Sequence, residues 1–154
     1  YTSGSTGKPK GVMITHRGLV NHNLACAKLF GLNTSDRVLQ SASISFDVSV
    51  EEIFPTWISG ASLILRNEEV FTSTRNLLEF VKREKITILN LPTALWHEIV
   101  HVMHEFGEKL PKCVRLIVVG GEKASVVAYL HWWNLVGDRC RWINAYGLTE
   151  TTVS

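Results

Sequence analysis

Residues 1–11 read Tyr1-Thr2-Ser3-Gly4-Ser5-Thr6-Gly7-Lys8-Pro9-Lys10-Gly11, a run that concentrates groups suited to phosphate. Its three glycines permit tight turns and close backbone approach, while four hydroxyls and two lysines supply donors and positive charge. Read as a phosphate grip, its contacts would come from Thr2, Ser3, Gly4, Ser5, Thr6, Gly7 and Lys8. A flexible Ser/Gly linker is the alternative, and it fits poorly with Lys-Pro-Lys leading into the apolar Val12-Met13-Ile14. The Walker P-loop fails on spacing. That motif has four residues between its glycines and Ser/Thr after its lysine, whereas Gly4 and Gly7 enclose two residues and Pro9 follows Lys8.

A second candidate for chemistry is His97-Glu98-Ile99-Val100-His101, which matches the H-E-x-x-H pattern of zinc proteases, with His104 one turn further on. At about 100° per residue the three histidines share one helix face, opposite Leu95, Ile99, Val102, Met103 and Phe106. The expectation is a solvated polar face with at most adventitious metal affinity, because a catalytic zinc needs a third ligand and a protected cleft. His16, His22 and His131 read as ordinary helix histidines, and the five tryptophans as core or edge packing. Glu68-Glu69 reads as a solvated loop.

These groups need a scaffold, and the pattern describes one. A strand is expected over Lys10 to Ile14, followed by an amphipathic helix from His16 to Leu29, N-capped by Thr15 and closed by Gly31. Val38 to Ile44 reads as a strand, and Ser49 with Glu52 has capping-box spacing for a helix towards Ser59, which Pro55 should kink or shorten. Further strands are expected at Ala61 to Leu65, Ile86 to Leu89, Val114 to Val119 and Arg141 to Ala145. Between them lie helices at Ser73 to Glu84, Pro92 to Phe106, and Ser125 to Val136, the last with Val126, Leu130 and Trp133 on one face. Regular alternation of this kind predicts the α/β class, a mostly parallel sheet with alternating helices, whose ligands gather at the carboxyl ends of the strands. Asp47, Asn90, Gly120-Gly121-Glu122 and Asn144 to Glu150 are all expected to follow strands there.

Composition narrows the partners. With 154 residues and 45% hydrophobic content, the chain can bury one ordinary core and is read as a single globular unit over residues 1–154. Its 16 basic and 14 acidic residues are too balanced for nucleic acid or an anionic membrane to be the main partner. No run has the length a bilayer requires. Three widely spaced cysteines, Cys26, Cys113 and Cys140, fit buried, unpaired thiols of a cytoplasmic protein.

Three separated motifs now converge. Thr2 to Gly11, Phe46-Asp47-Val48-Ser49, and Asn144-Ala145-Tyr146-Gly147-Leu148-Thr149-Glu150 resemble the adenylate-forming enzyme superfamily. More narrowly, the chain is similar to the amino-acid-activating adenylation domain of a nonribosomal peptide synthetase, over its whole length and with the motifs in order. The resemblance implies an internal segment of a larger domain, lacking an upstream part and a C-terminal subdomain with a catalytic lysine, so the segment alone is expected to be inactive. The activity implied is an amino-acid adenylating ligase: an amino-acid carboxylate attacks the α-phosphorus of ATP, with Mg²⁺ present, and the aminoacyl adenylate then passes to the phosphopantetheine thiol of a peptidyl carrier protein domain. Such chemistry requires an electrostatic cradle for the phosphates more than covalent participation by the protein.

By that resemblance Thr149 would touch a phosphate, Glu150 would hold Mg²⁺, Tyr146 would stack on adenine, and Gly121, Glu122 and Asn144, with Ala145 and Gly147 beside them, would line the nucleotide pocket. Asp47 would receive the substrate α-ammonium, the feature separating amino-acid activators from acyl- and aryl-CoA ligases of the same superfamily; the competing reading makes it a helix N-cap. Val48, Glu51, Asn90, Val118, Gly120, Ala145 and Val153 would surround the substrate side chain. Glu51 and Asn90 point to a polar or cationic side chain such as Arg, Lys or ornithine, and a hydrophobic substrate is the alternative if Glu51 is paired internally. Leu148 departs from the pattern, standing where peptide synthetases usually have proline. Two other functions stay open: an acyl- or aryl-activating ligase, and a nucleotide-binding segment without turnover.

Overall fold

A computed structural model describes residues 7–66 and 68–153, excluding the side chains of residues 68 and 69. Its principal elements are α1 (His16–Phe30), β1 (Arg37–Gln40), α2 (Val48–Ile58), β2 (Ser62–Leu65), α3 (Thr74–Arg83), β3 (Ile88–Pro92), α4 (Thr93–Phe106), β4 (Leu116–Gly120), α5 (Val126–Val136) and β5 (Arg141–Asn144). Short 3-10 turns occupy Glu68–Phe71, Gly137–Arg139 and Thr149–Thr151. The five strands pair in the order β2-β1-β3-β4-β5, every pair parallel. This is the expected α/β architecture.

The central strands are continuous apolar runs because both sheet faces are covered. Leu89, Leu91, Ile117 and Val119 pack on one side with Leu77, Val81, Trp96, Ile99, Met103 and Trp132 from α3, α4 and α5. Ile88, Leu116 and Val118, at the alternate positions, pack on the other side with Cys26 and Phe30 of α1. Helix α1 begins and ends as its sequence requires: Thr15 Oγ1 accepts from Gly18 N at 3.2 Å, and Gly31 takes the left-handed conformation at φ 59°. All three cysteines are unpaired, with Cys26 and Cys140 buried and Cys113 half-buried. Among the described residues, no helix is long and apolar enough to cross a membrane.

Several boundaries differ. Residues 11–15 form no strand, and only Lys10 makes an isolated bridge. Strand β1 stops at Gln40, because the backbone N–H groups of Ser41 and Ala42 turn to the Glu52 carboxylate. The proposed capping box is therefore not made: Glu52 is committed to that loop, and Ser49 Oγ donates to Phe46 O at 2.7 Å. Helix α2 starts at Val48 and continues through Pro55 to Ile58, so the proline does not shorten it. Strand β3 extends to Pro92, which places Asn90 inside the strand and starts α4 at Thr93. On α5 the Val126, Leu130 and Trp133 face is exposed, and Trp132 and Val136 point inward instead.

Candidate active site

The carboxyl ends of the strands gather most of the candidate residues. Asp47 sits immediately ahead of α2 but makes no side-chain cap. Instead Thr149 Oγ1, 102 positions away, donates to Asp47 Oδ2 at 2.5 Å. The N-cap reading of Asp47 is thereby replaced by a contact between the central and closing motifs. Its placement depends on Glu52, which accepts from Ser41 N at 3.0 Å and from Ala42 N at 3.1 Å, with Ser41 Oγ at 2.6 Å and Gln40 Nε2 at 3.3 Å. Burial raises the Glu52 pKa, and the hydrogen bonds from Ser41, Ala42 and Gln40 only partly oppose that rise. One buried carboxylate thus ties the end of β1 to α2 and carries Asp47 with it.

At the end of β4, Thr93 Oγ1 lies 3.0 Å from Gly120 O and 3.1 Å from Glu122 O, fixing this turn to the start of α4. A Cβ on Gly120 would sit 3.2 Å from Ala145 O, and Ala145 N donates to Val119 O at 2.8 Å, so the ends of β4 and β5 run in close contact. Gly121 has φ +90° and open space where a Cβ would be. Glu122, Asn144, Gly147 and Glu150 are exposed, and Tyr146 presents 85% of its surface. Val153 is buried at φ 72°, beside Thr152 at φ 73°, both in the region that costs a non-glycine residue. The Thr152 hydroxyl lies 3.0 Å from where a Cβ would stand on Gly18, so the closing segment packs on the first turns of α1. Thr2, Ser3, Gly4, Ser5 and Thr6 lie outside the described residues; Gly7 has φ +77° and Lys8 is exposed.

Beneath Asp47 lies a buried polar cluster that the sequence did not announce. His22 Nε2 stands 3.3 Å from Glu51 Oε1 and 3.4 Å from Cys26 Sγ, while Asn90 Nδ2 donates to Glu51 Oε2 at 3.1 Å. His22 is 7% exposed and Glu51 4%. Hydrogen bonds with Cys26 and Glu51 push the His22 pKa up to about 10, against the effect of burial. His22 is therefore not an ordinary helix histidine. The only signal for it was the His22/Cys26 spacing of one helical turn on the buried face of α1. Glu51 is paired internally, the condition under which a hydrophobic substrate is the alternative to a cationic one. Among the described residues, His22, Cys26 and Glu51 form the one His/Cys/Asp/Glu group with metal-ligand spacing, their donor atoms all within 4.8 Å.

The H-E-x-x-H segment presents the solvated face that was expected, with Glu98, His101 and His104 exposed and His97 half-buried, but its side chains also make contacts to neighbouring helices. His97 Nε2 accepts from Ser125 N at 3.0 Å, His104 stacks on His131 with centroids 3.9 Å apart, and Glu98 Oε1 accepts from Thr74 Oγ1 at 2.6 Å. These residues join α4 to α3 and α5. A groove of about 1100 Å³, lined by Arg75, Lys82, Met103, Lys109 and Arg139 among others, includes the loop before β4 and contains none of the candidate residues.

The family model described as AMP-binding enzyme matches residues 1–154. The chain is 42% identical over 153 residues to the isonitrile lipopeptide synthase of Streptomyces coeruleorubidus and 44% identical over 154 residues to bacitracin synthase 3 of Bacillus licheniformis. In both cases 99% of the chain is covered, but it spans only 10% and 2% of those relatives. Among solved structures, the Vibrio cholerae adenylation domain AlmE in complex with glycyl-adenosine-5'-phosphate matches 99% of the chain and 28% of its own, at TM-score 0.83 and 31% identity. The N-terminal subdomain of Klebsiella oxytoca NpsA, in complex with 3-hydroxyanthranilyl-AMSN, matches 99% of the chain and 37% of its own, at TM-score 0.78 and 30% identity.

Proposed function

This chain belongs to the AMP-binding enzyme family, and from that premise we propose that it carries the substrate and nucleotide walls of an amino-acid adenylating site. The observation that carries the reading is the Thr149–Asp47 hydrogen bond, which joins the residue proposed for phosphate contact to the one proposed for the α-ammonium. In the reaction the amino-acid carboxylate oxygen forms a bond to the α-phosphorus of ATP while the bond to pyrophosphate breaks, giving aminoacyl-AMP and pyrophosphate. Asp47, freed from Thr149 when substrate enters, holds the ammonium by charge; Thr149 turns to the phosphate. Gly121 leaves room for a close ligand, since nothing stands where its Cβ would be, while Gly120 lets the Ala145 backbone approach closely. Tyr146, exposed beside them, offers a ring face for adenine.

The exposed Glu150 carboxylate is a hard oxygen donor of the class that suits Mg²⁺. When bound, that ion would neutralise phosphate charge. Lys8 and the loop before it would grip the remaining phosphates. The acceptor in the second step is the phosphopantetheine thiol of a carrier domain, a reading supported by the synthases among the relatives. The enzyme is proposed to act in the cytoplasm. Because the chain spans 28% and 37% of the two solved relatives, residues 1–154 by themselves are proposed not to turn over.

A second reading, activation of an aryl acid, is favoured by the NpsA match. The two separate in one assay. Amino-acid-dependent ATP–pyrophosphate exchange by the intact enzyme should fall at least about 100-fold in Asp47→Ala. Exchange driven by aryl acids and undiminished in that variant would overturn the amino-acid reading.

A further inference from the structure

Glu51 raises a question that its neighbours answer. The other proposed walls of the side-chain pocket, Val48, Val118, Gly120, Ala145 and Val153, carry no charge. A lone carboxylate among them, 4% exposed, would be strongly disfavoured without a counter-charge. Asn90 satisfies one of its oxygens but is neutral. The counter-charge comes from His22 on α1, which is itself buried and reaches Glu51 Oε1 from outside that set of wall residues at 3.3 Å. Cys26, one turn along α1, touches the same Nε2 at 3.4 Å and holds the ring in place.

We infer that His22 is a specificity-determining positioning residue: by neutralising Glu51 across the α1–α2 interface, it makes the side-chain pocket select an uncharged amino acid. The inference rests on the amino-acid reading above and deepens it. A cationic side chain entering this pocket would meet a carboxylate already matched by a buried imidazolium, and would place a third charge against a neutral pair. A neutral side chain meets small apolar walls and, at the Asn90 amide, a polar edge. The acid at position 51 thus predicts a cationic substrate when read alone and an uncharged one when read with position 22.

The intact enzyme should drive ATP–pyrophosphate exchange best with a neutral amino acid such as valine or glutamine, and poorly with lysine, ornithine and arginine. His22→Gln takes the imidazole charge away from Glu51. In that variant the kcat/KM ratio of cationic over neutral substrates should rise at least about 10-fold, chiefly through a lower KM for the cationic ones. The double variant His22→Gln/Glu51→Gln should return the ratio towards its starting value, which damage to packing alone would not do. Independently of how the variants fold, NMR of the His22 ring should show an imidazolium at about pH 7.

A preference of the unaltered enzyme for lysine, ornithine or arginine would overturn the inference while leaving amino-acid activation intact. So would an unchanged ratio in folded His22→Gln, or a neutral His22 ring at that pH. Stoichiometric zinc in the purified enzyme, lost in Cys26→Ser, would also overturn it, because Glu51 would then be a metal ligand and not half of an ion pair. Exchange with no amino acid at all would overturn the amino-acid reading, and this inference with it.

Discussion

The two ends of the sheet handle carboxylates in opposite ways. At the amino end, Asp36 just before β1 receives Arg115 Nε at 2.8 Å, Arg115 Nη2 at 2.6 Å, Thr87 Oγ1 at 2.8 Å and Asn33 N at 3.0 Å. The same guanidinium donates to Phe30 O and Gly31 O, so one fork joins β4 to β1 and closes the C-terminus of α1. At the carboxyl end, Asp47 is half-buried and meets the hydroxyl of Thr149 on an exposed turn. Asp36 has its full complement of partners from the scaffold, including a formal positive charge; Asp47 has one neutral hydroxyl partner on an exposed turn. The carboxylate that holds the fold together is saturated, whereas the one proposed to serve a ligand is kept in exchangeable company.

That contrast can be broken by substitution. The largest effect expected is the loss of at least about 100-fold in exchange activity for Asp47→Ala, with stability changed by no more than about 0.5 kcal/mol in denaturant unfolding. If Asp47→Ala instead unfolded the protein, the two ends would not differ in kind. Arg115→Ala should do the reverse, costing about 2 kcal/mol of stability while leaving the kcat/KM of the folded enzyme within about 3-fold of its starting value. This figure lies below the usual cost of breaking a buried pair because the Arg115 side chain is 37% exposed. Thr149→Val removes the hydroxyl shared with Asp47 and should lower kcat/KM by about 10-fold, with little change in melting temperature.

The smallest expected effect sharpens the comparison through sign. Burial alone would raise the Asp36 pKa, but hydrogen bonds from Arg115, Thr87 and Asn33 outweigh it and hold the carboxyl below its usual range. Its contribution to stability is therefore present above its ordinary pKa and is lost as pH falls through the lowered folded value. Glu52, its pKa raised chiefly by burial, acts oppositely: its stabilisation is present at low pH and is lost as pH rises through the folded value. Unfolding curves from about pH 2 to 7 should accordingly show Asp36→Asn flattening the acid-side loss and Glu52→Gln flattening a decline on the rising side, each by about 1 kcal/mol or less. Effects of the same sign in both variants would contradict this assignment.

Much of the molecule follows from local rules. The ends of α1 were legible because Thr15 and Gly31 satisfy terminal backbone groups within a few residues. The parallel sheet was legible because apolar runs and amphipathic helices alternate, and a crossover leaves few other topologies. Asp47 and Thr149 could be named from their motifs. Their hydrogen bond could not, since it spans 102 positions and exists only once β5 is laid beside β4. The same limit produced the errors: Ser49 and Glu52 have capping-box spacing, yet Glu52 finds better partners in the loop after β1, and His22 reads as an ordinary helix histidine until α2 brings Glu51 to it. Glu51 is the sharpest case. Its type and position were fixed by the chain, but its pairing with His22 arises only where another helix packs against α2, because electrostatic compensation in a buried site depends on distance in space and not along the sequence.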